Sequence, residues 1–183
     1  MTILGICGSL QALSANLALL HVAAQSTPRG AEFVLFDGLR ELPLFNPDVQ
    51  AGGAPDSVWR WRRALAESDA VFIAAPEYAL SLPGALKNGI DWVIGSGELE
   101  GKIIAITAAV PAPERGRCGL RALHGTLSAV HAVIVGGEPI ATGQDFHERV
   151  ARLVADLLQV VARSDCRQSS PGYRPKGLEI GCG

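Results

Sequence analysis

Five short apolar runs, each continuous rather than alternating with polar residues, constrain the fold of this chain more than any other feature. They are Thr2 to Cys7, Glu32 to Phe36, Ala70 to Ala75, Lys102 to Ala109 and Ala132 to Val135. A strand with one wet face alternates apolar and polar residues, whereas a strand covered on both faces reads as an unbroken β-branched run. Between the runs lie stretches with helical spacing: Ser14 to Ser26, Pro55 to Ser68, Leu82 to Ile94, Gly119 to Val130 and Phe146 to Arg163. This alternation predicts an α/β, doubly wound, five-stranded parallel sheet with helices on both faces, in the strand order 2-1-3-4-5.

Composition narrows the partners. With 183 residues, the chain reads as one domain over 1–163 followed by a flexible tail over 164–183, which is rich in Ser, Gly, Pro and Arg and lacks apolar periodicity. A net charge of -2 supplies no basic field for nucleic acid and no polybasic segment for lipid, and no apolar stretch is long enough to span a membrane. The start of the chain has neither a basic n-region nor a small-residue cleavage site, so a cytoplasmic protein is expected. The four cysteines, Cys7, Cys118, Cys166 and Cys182, lack metal-ligand or dithiol spacing, and no metal is expected. The partner expected from these properties is a small molecule.

Two loops carry the chemistry, Gly8 to Asn16 after the first strand and Pro76 to Gly84 after the third. In the predicted order these strands flank the point where the winding direction reverses, which is where open parallel sheets bind ligands. Ser9, Ser14 and Asn16 place small polar side chains at a helix start, where free N–H groups and the helix dipole favour an anion. The expected ligand is a mononucleotide with a planar ring. A Walker loop is excluded because no Gly-Lys-Ser/Thr occurs, and the Gly-x-Gly-x-x-Gly dinucleotide pattern is absent. A thiolate phosphatase would need an Arg six positions after Cys7, where Leu13 stands.

The run Ala75 to Trp92, with its Pro76-Glu77-Tyr78 start and Lys87-Asn88-Gly89-Ile90-Asp91-Trp92 end, taken together with Gly8 to Asn16, closely resembles the NADPH-dependent FMN reductase family. That group has a flavodoxin-like fold and includes azo, quinone and chromate reductases. The resemblance implies that Ser9, Gln11, Ser14, Ala15 and Asn16 hold the FMN phosphate, and that Pro76, Glu77, Tyr78, Ala79 and Ser81 lie against the isoalloxazine ring. Two positions depart from the family: Gln11 stands where Arg is usual, and Ala79 where Asn is usual. The third flavin loop, Ala108 to Gly119, contains Pro111 and Pro113 in place of a Ser/Gly-rich turn.

The resemblance further implies hydride transfer from NADPH through bound FMN to a small acceptor: a quinone, an azo compound, free flavin or a metal oxyanion. No catalytic side chain is required, and none of His21, His124, His131 and His147 lies in either motif. It also implies a homodimer or homotetramer, for which Leu44, Phe45 and Trp92 are candidate contacts. Lys87, Asn88, Asp91 and Trp92 recur at helical spacing and suit packing either within the chain or between subunits. Two other readings stand beside this one: a flavodoxin-like, non-enzymatic module with weak or no FMN binding, and a quinone reductase that uses NADH as well as NADPH. No cationic cluster for a 2′-phosphate is identifiable from the sequence.

Overall fold

The computed structural model describes residues 1–112 and 114–168. Its main sheet contains β1 (Thr2–Cys7), β2 (Glu32–Phe36), β3 (Ala70–Ala74), β4 (Ile103–Thr107) and β6 (Val133–Gly136). These pair in the order β2-β1-β3-β4-β6, all parallel. This is the predicted 2-1-3-4-5 arrangement, with one difference. A two-residue strand, β5 (Ala109–Val110), pairs with β7 (Ile140–Ala141) and extends the architecture beyond the end of β4. Strands this short have no period to read.

The sheet is covered on both faces because successive residues of each strand point to opposite sides. On one side Ile3, Phe72 and Ala105 pack under α1 (Ala15–Gln25) and α6 (Phe146–Gln168), through Leu19, Leu20, Val150 and Leu157. On the other side Leu4, Ile73 and Ile104 meet α3 (Asp56–Ala66), α4 (Gly84–Asp91) and α5 (Arg117–Ala129), through Trp61, Ile90 and Leu123. The central strands β3 and β4 are buried at every residue, which accounts for their unbroken apolar runs. Helix α6 continues to Gln168, past the expected end at Arg163, and the rest of the expected tail lies outside the described residues.

Helix α3 carries Arg60, Arg62 and Arg63 beside Trp59 and Trp61, and these divide between core and surface. Trp61 is in the core with its indole N–H donating to Gly89 O at 2.7 Å, while Arg62 lies over the Trp59 ring and pairs with Glu98 at 2.6 Å.

The segment between β2 and α3 carries a 3-10 turn (Gly38–Glu41) and the short helix α2 (Pro47–Ala51), capped by Asn46. Its apolar middle is held by α4. The Asn88 side chain accepts from Phe45 N–H at 2.8 Å and donates to Pro43 O at 2.9 Å, and Trp92 Nε1 donates to the same carbonyl at 2.8 Å. Phe45 and Trp92 meet edge to face at 5.2 Å, and Lys87 pairs with Asp91 one turn on. The helical signature at Lys87 to Trp92 therefore packs within the chain. This corrects the expectation for Trp92: its side chain is 1% exposed, because a large ring with one donor gains most by burial beside an acceptor. Leu44, by contrast, projects from the same segment and is 85% exposed.

Candidate functional site

The first loop leaves β1 at the carboxyl edge of the sheet. Gly8 N–H continues the ladder to Ala74 O at 2.9 Å, and a Cβ at Gly8 would sit 2.8 Å from that of Ala75, so only glycine allows the two chains this approach. Ser9 Oγ accepts from Gln11 N–H and Ser14 Oγ accepts from Asn16 N–H, each at 3.2 Å. Ser14 is thus the N-cap of α1, in the extended conformation that caps require. Ala15 and Leu17, at the first and third helical positions, have N–H groups with no acceptor in the preceding turn, as helix geometry dictates. The loop therefore presents neutral donors around a helix start.

Asn16, buried in this loop, has a second attachment. Its side-chain oxygen accepts from Ala109 N–H at 2.9 Å, tying the first loop to β5. A backbone donor on one side fixes the amide orientation and leaves the Nδ2 group as the end able to donate elsewhere.

The second loop closes into a tight turn in which Tyr78 and Ser81 exchange both backbone hydrogen bonds, at 2.9 and 3.0 Å. Ala79 and Leu80 form its corner at φ +49° and +61°, a left-handed conformation that costs a non-glycine residue about 1 to 2 kcal/mol. This places the Tyr78 ring half exposed at the sheet edge, its hydroxyl 3.3 Å from Ser9 Oγ. The two motif loops, far apart in sequence, meet at that contact. Glu77 turns the other way: its Oε2 accepts from Gly119 N–H at 2.9 Å in the first turn of α5. Of the five residues expected against the ring, Glu77 thus has its carboxylate committed within the protein.

The start of the third loop is held by its neighbours. Thr107 Oγ1 donates to Glu138 O at 2.9 Å, Ile140 N–H to Ala108 O at 2.8 Å, and β5 lies between β7 and Asn16. Gly119 closes against the second loop so tightly that a Cβ there would come within 2.9 Å of Glu77 Cα and 3.1 Å of Ser81 O.

Two groups of side chains escaped the sequence reading. Arg40, on the 3-10 turn, donates to Leu10 O at 3.3 Å and lines a cavity of about 150 Å³ together with Ser9, Gln11 and Asp37. Nothing in the sequence near Arg40 links it to the first loop. Arg117, Arg121 and His124 share a face of α5 and line a cleft of about 290 Å³ with Gly137 and Glu138, Arg117 pairing with Glu138 at 3.0 Å. Their i, i+4, i+7 spacing was a readable signal.

This donor set fits FMN. Hydroxyl, amide and helix-start N–H donors converge at the first loop, as a phosphate monoester requires, and a half-exposed aromatic residue on the adjoining loop can face a planar ring. The model for NADPH-dependent FMN reductases matches residues 1–147 of this chain. The chain belongs to that family.

Within the family, the chain is 42% identical over 109 residues to an NAD(P)H-dependent FMN reductase of Pseudomonas aeruginosa, and 32% identical over 109 residues to a quinone reductase of Pseudomonas putida. Each alignment covers 58% of this chain and 58% of the relative, so the match spans a little over half of those proteins. Among solved structures, the flavoenzyme NAD(P)H:(acceptor) oxidoreductase FerB of Paracoccus denitrificans superposes with a TM-score of 0.78 at 26% identity, covering 88% of this chain and 97% of that one. An oxidoreductase of Corynebacterium diphtheriae, at 22% identity and a TM-score of 0.70, shares the fold.

Proposed function

We propose that this protein is an FMN-dependent oxidoreductase that passes hydride from NADPH to a small acceptor such as a quinone, an azo compound, free flavin or a metal oxyanion. The observation that carries this reading is the meeting of Ser9 and Tyr78, which brings the anion-binding helix start and an exposed aromatic residue to one edge of the sheet. When bound, FMN supplies the hydride-accepting and hydride-donating chemistry.

The chain's own residues bind and orient. Ser9, Ser14 and Asn16 Nδ2, with the N–H groups of Ala15 and Leu17, are the donors for a phosphate. The left-handed corner at Ala79 and Leu80 aims Tyr78, and Pro76 stiffens the approach to it. The Glu77 to Gly119 bond holds the second and third loops at fixed separation, setting the width available to a ring. The cationic face of α5 supports the choice of NADPH, because Arg121 beside Arg117 offers charge to an added phosphate.

A homodimer or homotetramer belongs to this proposal. Leu13 and Leu80, on the two motif loops, and Leu44, on the segment between β2 and α3, are all exposed, and a second copy would cover them. A cytoplasmic setting is also part of the reading; no helix among the described residues is long and apolar enough to cross a membrane.

The test is an absorption spectrum of the purified protein, followed by FMN titration and anaerobic addition of NADPH. Flavin bands that bleach with NADPH are the expected result. Failure to bind added FMN would overturn the proposal in favour of a non-enzymatic module.

A further inference from the structure

The phosphate loop contains no cation of its own. Ser9, Gln11, Ser14 and Asn16 are neutral: Ser9 Oγ and Ser14 Oγ each accept a backbone N–H and Asn16 Oδ1 holds Ala109, which leaves their donors for a phosphate but supplies no positive charge. A phosphate monoester carries up to two negative charges, and hydrogen bonds to charged partners are the stronger kind. The structure supplies a cation from elsewhere. Arg40 reaches from the 3-10 turn, which is anchored in the core by Leu39, and binds Leu10 O within the loop.

We propose that Arg40 is the phosphate-holding cation of this site, a reading that rests on the assignment of the first loop to the FMN phosphate. A guanidinium has five N–H donors in a rigid fork, so one bond to Leu10 O leaves others for phosphate oxygens. The bond to Leu10 also neutralises a carbonyl that would otherwise repel an anion. Arg40, Ser9 and Gln11 line the same cavity of about 150 Å³, so the cation adjoins the Ser9 and Gln11 side of the loop. Asp37 lines it too, and its carboxylate makes a cation there more necessary. Arg40 acts on binding and has no part in hydride transfer.

The experiment compares FMN with riboflavin, which has the same ring and no phosphate, in fluorescence titrations of the full chain. Arg40→Ala is expected to weaken FMN about ten- to a hundredfold, leave riboflavin affinity unchanged, and flatten the salt dependence of FMN binding. Gln11→Arg in the Arg40→Ala background is expected to restore part of the loss, since position 11 faces the same cavity. Equal losses for FMN and riboflavin would make Arg40 a support for loop shape and overturn the proposal. If Arg40→Ala leaves FMN unchanged while Ser9→Ala abolishes the preference for FMN over riboflavin, the proposal fails and the phosphate-loop assignment stands. If neither variant alters that preference, the assignment itself fails. Arg40 is exposed, and an unchanged thermal transition would show that the fold is not the cause.

Discussion

Asn16 at the start of α1 holds Ala109 at the start of β5, its side-chain oxygen 2.9 Å from the backbone nitrogen. A residue that the family resemblance assigns to the cofactor is therefore also a fastener between two of the three loops. Asn16→Ala is expected to cost about 1 to 3 kcal/mol of stability by leaving a buried N–H unpaired, measured by chemical denaturation without FMN. Asn16→Asp keeps the acceptor and removes the Nδ2 donor; it should retain most of the stability while weakening FMN through charge repulsion. A wild-type FMN affinity in Asn16→Asp would confine Asn16 to the structural role.

Glu77 and Gly119 make the corresponding link between the second and third loops. Gly119→Ala would push a methyl against the Glu77 backbone and Ser81 O, and overpacking of this kind costs about 1 to 3 kcal/mol. Glu77→Gln retains an acceptor for Gly119 N–H and should be milder than Glu77→Ala. Urea unfolding of the three variants orders them, and a harmless Gly119→Ala would show that the two loops separate freely.

The fold was legible because its signal is long. Ala70 to Ala74 and Ile103 to Thr107 are buried on both faces, and such burial gives unbroken apolar runs, which, alternating with helical stretches, read as a covered parallel sheet. Ser9 and Tyr78 could be paired from topology alone, since both follow strands at the reversal point. The β5 and β7 pair could not, because two residues carry no periodicity. Arg40 could not either: its bond to Leu10 depends on where a 3-10 turn folds back, and the sequence spacing between them encodes nothing about that approach. Trp92 was misplaced for a related reason. Hydrophobicity says that a ring will be covered, but not whether Pro43 or another subunit covers it.

Ala79 offers a gain in stability. It occupies the left-handed region at φ +49°, where Asn pays less than Ala because its short polar side chain bonds locally. Ala79→Asn is expected to raise stability by about 0.5 to 1 kcal/mol, seen as a higher denaturation midpoint with an unchanged slope. Ala79→Val, β-branched in the same conformation, should lower it. If both variants match the parent, the turn is not strained as described.

Lys102 gives the protein an alkaline pH dependence. Burial lowers its pKa from the ordinary 10.5, an effect opposed in part by Asp69, while its ammonium donates to Ser68 O at 2.6 Å. With the folded pKa below the unfolded one, the unfolded chain binds more protons over the range between them, and stability rises with pH through the window below 10.5. Lys102→Gln should remove that rise relative to the parent when unfolding is followed as a function of pH. A variant with the parent's slope would assign the dependence to another group.

The α5 face offers a test of which nicotinamide the protein prefers. Arg121 and His124 line the cleft of about 290 Å³ with Arg117 and Glu138, at the end of β6 and two strands from β3 in the sheet. If this face receives the 2′-phosphate that distinguishes NADPH from NADH, Arg121→Ala removes one charged hydrogen bond. The expected result is a KM for NADPH raised about ten- to a hundredfold, with little change in kcat and little change for NADH. Glu138→Gln should act in the opposite direction, because it removes a negative charge from the cleft. Parallel changes for both nucleotides would place their shared diphosphate there, and no change for either would leave the face outside the reaction altogether.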